Sequence, residues 1–432
     1  MKLSIHWFRR DLRLEDNKSI ESALAGSSPL LPIFIFDQNI LENLPRNDAR
    51  LSFIHQQLER IHQKLKTMGS GLLVLQGDPQ AVWKSLLKQY EINAAYWNKD
   101  YEPYARDRDS SIRNLLTAND VEVLEQKDQV IFEESEITKD DGKPYTVFTP
   151  YKKKWLAKLQ PEDLKVQTSK SENSFFQHEP QFPSLESIGF SEPTFSTPEY
   201  DLSQVSTYAA ERDLPAADST SRLGPHLRFG TISIRQIINQ IHPKHEVFLS
   251  ELIWREFFIQ ILLHFPEVIS GNFRRKYDGI QWRNNDAEFD AWCRGETGYP
   301  MVDAGMRQLY QTGFMHNRVR MVVASFLCKH LLIDWCWGEA YFAEKLLDYE
   351  LASNNGNWQW AAGTGCDAAP YFRVFNPTAQ QKRFDPNFEY IKRWIPEYGT
   401  DEYATPIVEH RFARERAIVT YKQGLDRFTP DH

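Results

Sequence analysis

The chain has 432 residues, 41% hydrophobic and 25% charged, with a net charge of −8. That length exceeds one ordinary core and predicts two domains of a globular protein, while the negative balance excludes a protein held to nucleic acid by general basicity. No run approaches the roughly 18 uncharged apolar residues of a membrane span, and the four cysteines lack CxxC or Cys/His ligand spacing, which predicts reduced thiols, no metal and a cytoplasmic setting.

Short apolar runs at residues 3–8, 30–36, 72–75 and 94–97 predict strands. Between the second and third, Leu51, Ile54, Leu58, Ile61 and Leu65 recur at three- and four-residue spacing and predict an amphipathic helix. Strand–helix alternation over residues 1–130 predicts a doubly wound α/β domain with a parallel sheet covered on both faces. No GxGxxG follows the first strand, so this half carries no readable dinucleotide fingerprint. Over residues 131–200 composition shifts to Ser, Glu, Pro, Lys and Gln, which predicts an interdomain connector, although residues 142–155 are too aromatic for pure linker. Residues 201–432 read as almost wholly helical, and eight of the twelve tryptophans lie beyond residue 250.

Three constellations in that helical half could do chemistry. Asn317, Arg320 and Met321 fall at i, i+3 and i+4 and share a helix face. An inward arginine needs a carboxylate, and Asp348 in YFAEKLLDYELASNN is the best placed. In SELIWREFF, Glu251 and Trp254 set an acceptor beside a flat ring, and Trp360 could supply a second ring. Stacking of a base on such rings is worth about 1–3 kcal/mol. In STSRLGPHLRFG, small hydroxyls, an arginine and a glycine before a helix start make either a phosphate cradle or a serine-rich cap. Spacing alone favours a structural ion pair and core tryptophans for the first two.

Taken in order, the segments match one pattern over nearly the full chain. HWFRRDLRLEDN at 6–17 resembles the opening of DNA photolyases and cryptochromes. TGYPMVDAGMRQL at 297–309 and NRVRMVVASFLCKHLLIDW at 317–335 resemble that family's two signature segments, and the likeness is nearest to class I cyclobutane pyrimidine dimer photolyases. The resemblance implies an antenna-type domain at 1–130 and a helical FAD- and DNA-binding domain at 201–432. There, reduced FAD would pass one electron under blue light to a dimer flipped out of UV-damaged DNA. It implies that Tyr208 and the run Thr220, Ser221, Arg222, Leu223 and Gly224 hold the flavin phosphates, with Gly224 departing from the usual hydroxyl. Arg320 and Asp348 would pair beside the isoalloxazine ring with Glu350 near, Asn317 would also touch the flavin, and Asn354 would face flavin N5. Glu251, Trp254, Asn317, Met321 and Trp360 fall to the lesion pocket, and Arg212, Arg318 and Gln380 to the lesion strand. Arg274, Arg275 and Lys276 form a further basic patch. Trp358, Trp335 and Trp282 match the electron relay from flavin to surface.

Two rival readings stay within the resemblance. Enzymes for the (6-4) lesion carry histidines around the positions of Asn317 and Met321, and His316 is out of phase with the pocket face. Cryptochrome photoreceptors often carry a long C-terminal extension and can replace the N5-facing asparagine, which this chain retains as Asn354. Folate-using relatives have Asn-Glu where this chain has Tyr104-Ala105. That speaks against folate as antenna and leaves a deazaflavin, a second flavin or none. A monomer with no obligate protein partner is expected.

Overall fold

The computed structural model describes residues 2–166 and 175–428; part of the expected connector, residues 167–174, lies outside the described residues. Strands β1 (Leu3–Phe8), β2 (Leu30–Asp37), β3 (Leu73–Gly77), β4 (Ile92–Asn98) and β5 (Glu122–Gln126) form one sheet in the order β3-β2-β1-β4-β5, every pair parallel. Side chains alternate across it with period two. Ile5, Trp7, Ile33 and Ile35 enter one core, while Phe8, Phe34 and Phe36 enter the other. The four apolar runs become β1 to β4. β5 is an edge strand, EVLEQ, whose acids hide it from an apolar-run search. The predicted helix spans Ala49–Thr67, started by the Asp48 carboxylate accepting from the Arg50 N–H.

The chain forms two compact units whose limits differ from the expected boundaries. One comprises 1–136, 155–199 and 223–244; the other comprises 137–154, 200–222 and 245–432. Residues 223–244, read from sequence as part of the helical half, therefore fold with the sheet. The opening motif explains why. The Arg10 Nε donates to the Arg228 carbonyl at 3.1 Å, and the Arg13 Nη1 donates to that of Gly230 at 2.9 Å. Arg235 pairs with Asp16 at 3.0 Å and Asp128 at 2.7 Å. Gly230 has φ +63°, and a Cβ there would stand 2.1 Å from the Arg10 carbonyl oxygen, so only glycine closes this clamp.

The second unit is built on helices Glu246–His264, Pro300–Thr312, Asn317–Ser325, Trp335–Lys345, Leu351–Ala362 and His410–Arg427. The signature around Asp303 acts structurally, because its carboxylate accepts from the N–H groups of Thr297 and Gly298 and from the Tyr403 hydroxyl. Helix Asn317–Ser325 runs into a π-helical turn, Phe326–Leu331. Among the described residues no helix is long and apolar enough to cross a membrane.

Two buried histidines give this unit an acid sensitivity. Burial, then the nearby Arg320, pulls the His316 imidazole down to about 4; burial, then His410, pulls His330 down to about 3. Unfolded histidine titrates near 6.5, so below that value the unfolded chain takes up protons that the native unit refuses. Native stability is thus full above about 6.5 and is lost as pH falls. Each histidine should remove about 2 kcal/mol between pH 7 and pH 5. A urea midpoint, followed by tryptophan fluorescence, should fall across that interval; a flat midpoint would contradict the assignment.

Candidate functional site

A solvent-connected cavity, about 600 Å³ counting the open solvent at its mouth, lies in the helical unit. Helix Asn317–Ser325 contributes Asn317, Arg320 and Met321, so the face predicted from spacing does point inward. Helix Leu351–Ala362 contributes Asn354, Trp358 and Trp360, and the segment before it contributes Asp348 and Glu350. The expected ion pair forms, with the Arg320 Nη2 donating to Asp348 Oδ2 at 2.9 Å. Asp348 Oδ1 is buried without a hydrogen-bond partner. Glu350 lines the same cavity, but Arg255 holds its Oε1 at 2.9 Å and the Ser353 hydroxyl its Oε2 at 3.0 Å.

Asn354 is fixed by a residue the sequence reading missed. Its Nδ2 donates to the Glu339 carbonyl oxygen at 3.0 Å and to Glu339 Oε1 at 2.8 Å. With both amide protons committed, the group left to offer a ligand is the carbonyl oxygen, an acceptor. Burial raises the Glu339 carboxyl above its ordinary range, and the Asn354 hydrogen bond works against that rise. The signal for Glu339 was one carboxylate in the apolar stretch WCWGEAYF. Its neighbour Gly338 lets Trp358 approach, since a Cβ there would meet the indole at 2.1 Å. Trp358 and Trp335 share one core, with Trp282 packed against it. The Trp335 indole N–H donates to Asn272 Oδ1, and Trp282 meets Tyr421 edge-on at 5.8 Å.

The residues expected at the nucleic acid divide into separate contacts. The Arg212 Nη1 donates to Glu251 Oε1 at 2.6 Å, and the Arg318 Nη2 to Asp213 Oδ1 at 2.7 Å. Trp360 lines the cavity and Trp254 does not. Instead one face of Trp254 stacks on Phe148 at 3.6 Å and 8°. This also accounts for the aromatic character of residues 142–155. Gln380 Oε1 is buried without a partner. Tyr208 packs edge-on against Phe248, with the Arg212 guanidinium over its ring. Of the predicted cradle, Thr220, Ser221 and Arg222 fall in the helical unit, whereas Leu223 and Gly224 open helix Leu223–Arg228 in the other. Arg222 pairs with Asp218 and lies 3.7 Å over Phe314. In the basic turn, Arg274 donates to the Cys366 carbonyl and Arg275 pairs with Asp278.

These residues fit FAD. A buried polar atom without a partner costs about 1–3 kcal/mol, and Ser219 Oγ, Thr220 Oγ1 and Asp348 Oδ1 are three such atoms at or beside the positions expected to hold it. A second cavity, of about 800 Å³, lies in the sheet unit and is lined by Trp7, Phe36, Asp37, Asp100, Tyr104 and Arg108. Several of these follow the carboxyl ends of β1, β2 and β4, where the strand order reverses and ligands commonly bind. Among the described residues no cluster of three or more His, Cys, Asp or Glu is arranged to hold a metal ion.

Comparison with known proteins gives consistent matches. A family described as DNA photolyase matches residues 4–170, and one described as the FAD binding domain of DNA photolyase matches residues 248–401. The deoxyribodipyrimidine photo-lyase of Synechococcus sp. is 37% identical over 97% of this chain and 96% of its own length. A class III photolyase from Agrobacterium tumefaciens superposes with a TM-score of 0.89 at 33% identity, covering 99% of this chain and 98% of that one. An archaeal photolyase from Sulfolobus tokodaii, solved with two FAD molecules, gives 0.84 at 35% identity, covering 98% of this chain and 100% of that one.

Proposed function

This chain belongs to the DNA photolyase family of FAD-binding flavoproteins, and from that premise we propose that it repairs cyclobutane pyrimidine dimers in UV-damaged DNA with blue or near-ultraviolet light. The carrying observation is that one cavity gathers Arg320, Asp348 and Asn354 with Asn317, Met321 and Trp360. Reduced FAD, when bound, supplies the light-driven electron that opens the cyclobutane ring. The protein contributes position and electrostatics. Thr220, Ser221 and Arg222, with Tyr208, would hold the phosphates; Arg320 and Asp348 would flank the ring system; the Asn354 carbonyl oxygen would offer an acceptor to N5–H. Trp358, Trp335 and Trp282 would carry electrons from the surface to the cofactor when it is bound.

Extrusion of a base pair costs a few kcal/mol, less where damage has weakened the helix, so recognition partly reads that weakness. Asn317, Met321 and Trp360 form the wall that receives the dimer, with Trp254 and Glu251 at its approach. Glu251 hydrogen-bonds the base edges once Arg212 exchanges this carboxylate for a DNA phosphate. Arg318 makes the same exchange from Asp213, and Gln380 adds a neutral contact. Local cations of this kind reconcile a DNA partner with a chain of net charge −8.

His316 supports dimers over the (6-4) lesion. Its Nδ1 accepts from the Arg318 N–H at the start of helix Asn317–Ser325, and burial keeps the ring neutral. A neutral, helix-capping imidazole is no general acid for that alternative chemistry. The second cavity suits a planar antenna, with Trp7 and Tyr104 in its walls. The archaeal relative with two FAD molecules favours a second flavin among the open choices. The protein works as a monomer in the cytoplasm.

Asn317→His and Glu251→Ala should each cut light-dependent dimer repair about tenfold or more, the worth of a hydrogen bond to a charged group, with flavin content unchanged. Repair of irradiated DNA by chemically reduced enzyme, in light and in darkness, measures this. Absence of light-dependent repair in the native protein would leave a photoreceptor role instead.

A further inference from the structure

A third cavity, about 610 Å³ counting the open solvent at its mouth, lies in the sheet unit and has no part in the light reaction. Its walls come from the loop that follows β1, from helix Ala49–Thr67 and from the first turn of helix Ile234–Ile241. The fixed polar groups there offer hydrogens. Arg13, 8% exposed, is anchored by its terminal nitrogens, Nη1 donating to the Gly230 carbonyl at 2.9 Å and Nη2 to Asp128 Oδ2 at 2.5 Å. Its Nε–H is buried and has no hydrogen-bond partner among the described residues. Gln236 Oε1 accepts from the Ser233 N–H at 3.3 Å to cap its helix, so the end of that amide left for the cavity is the NH2 group. The amide of Gln57, buried in the wall, supplies another donor.

Two cations stand toward solvent. Arg60 and Lys64 are four residues apart on one helix and share its face. Arg60 pairs with Glu199 at 2.9 Å and Lys64 with Glu15 at 3.2 Å, and all four side chains are more than half exposed. Exposed pairs of that kind contribute little and exchange readily for a better anion.

We propose that this cavity binds a phosphate monoester. The phosphoryl oxygens take the donors of Arg13, Gln57 and Gln236, and the phosphoryl charge replaces the carboxylates of Glu199 and Glu15 beside Arg60 and Lys64. Three features select this class. The donors come from three separate segments of the chain, which suits a tetrahedral group with three acceptor oxygens better than a planar carboxylate. A phosphoryl group carries about −1.5 to −2 charges at pH 7, enough to stand in for two carboxylates. Leu12 and Ile61, 3% and 4% exposed, give the cavity an apolar wall that a bare inorganic ion would not use, so the phosphate heads an organic molecule. Binding makes and breaks no covalent bond. It ties the loop after β1 to both helices, so occupancy should also raise the melting temperature of the protein.

The test is isothermal titration calorimetry of the full-length, FAD-loaded protein in phosphate-free buffer, so that the flavin site is already filled. Glycerol 3-phosphate and ribose 5-phosphate are the probes, with inorganic phosphate and ribose alongside. At least one monoester should bind, inorganic phosphate about tenfold more weakly, and ribose not measurably. Gln57→Leu should weaken the monoester about tenfold, the worth of a hydrogen bond to a charged group. Arg60→Gln combined with Lys64→Gln should weaken it about a hundredfold and flatten its salt dependence, and light-dependent repair should stay native in every variant. Failure of both monoesters to bind overturns the proposal, as does binding that the Arg60→Gln, Lys64→Gln protein retains in full. Inorganic phosphate binding as tightly as the monoesters overturns the organic ligand. The exposed double variant decides the matter even if Gln57→Leu does not fold.

Discussion

Replacing Asp348 with alanine is expected to give a folded but colourless protein. The substitution removes the partner of Arg320, whose Nη2 bond to Asp348 is 2.9 Å long. Stranding one member of a deeply buried pair costs about 3–5 kcal/mol. Here the two side chains are 24% and 19% exposed, so solvent screening reduces the loss to about 2 kcal/mol. The same change deletes Asp348 Oδ1, the buried acceptor without a protein partner. Its bond to a cofactor donor is worth about 2 kcal/mol, as a hydrogen bond to a charged group. The lost cofactor bond alone weakens flavin retention about thirtyfold, about 2 kcal/mol, while the stranded Arg320 lowers the stability of the fold. Flavin absorbance per polypeptide after gel filtration measures this, with circular dichroism reporting the fold. Glu350→Gln makes the control, because it keeps an acceptor for Arg255 and Ser353, which already occupy its oxygens, while removing the charge from the same cavity wall. Native flavin content in Asp348→Ala would place the cofactor elsewhere.

The Arg320–Asp348 pair was legible because it combines two local rules. Helical spacing puts Arg320 on the face of Asn317 and Met321, and an inward cation demands a nearby acid. Four strands were legible for a similar reason, as uninterrupted apolar runs. β5 was not, because two acids interrupt its apolar run, Glu122 exposed to solvent and Glu125 accepting from the Trp97 indole of the neighbouring strand. Glu339 escaped because its bond to Asn354 joins two different helices, whose approach depends on Gly338 yielding to Trp358. The division of the chain was hidden likewise. It turns on Arg10, Arg13 and Arg235 reaching partners far away in sequence, and on a glycine with positive φ. Trp254 shows the limit from the other side. Its helix spacing is right for a face shared with Glu251, yet spacing cannot say that Phe148 covers one side of the indole.

Asn354→Asp is expected to produce the opposite fault: a protein that binds flavin normally yet cannot keep it reduced. Both Asn354 amide protons are held by Glu339, which leaves an oxygen acceptor for the N5 hydrogen that only the reduced ring carries. Aspartate keeps an acceptor there but adds a negative charge and loses the donor to Glu339. Unit charges 4 Å apart interact by about 4 kcal/mol at an effective dielectric of 20, close to a thousandfold bias against a second anion. The anionic reduced state is the one penalised. Anaerobic photoreduction followed by admission of air should show reoxidation far faster than in the native protein, at equal flavin content. Burial already raises the Glu339 carboxyl, so two acids sharing this site titrate together, and one of them takes a proton as pH falls. The penalty should therefore shrink at low pH, and reoxidation should slow there. Glu339→Ala tests the anchor itself. Without it Asn354 can turn its amide protons toward the ring, which favours the oxidised nitrogen by about 1 kcal/mol, the net worth of one hydrogen bond. Reoxidation at the native rate in both variants would mean that Asn354 does not face N5.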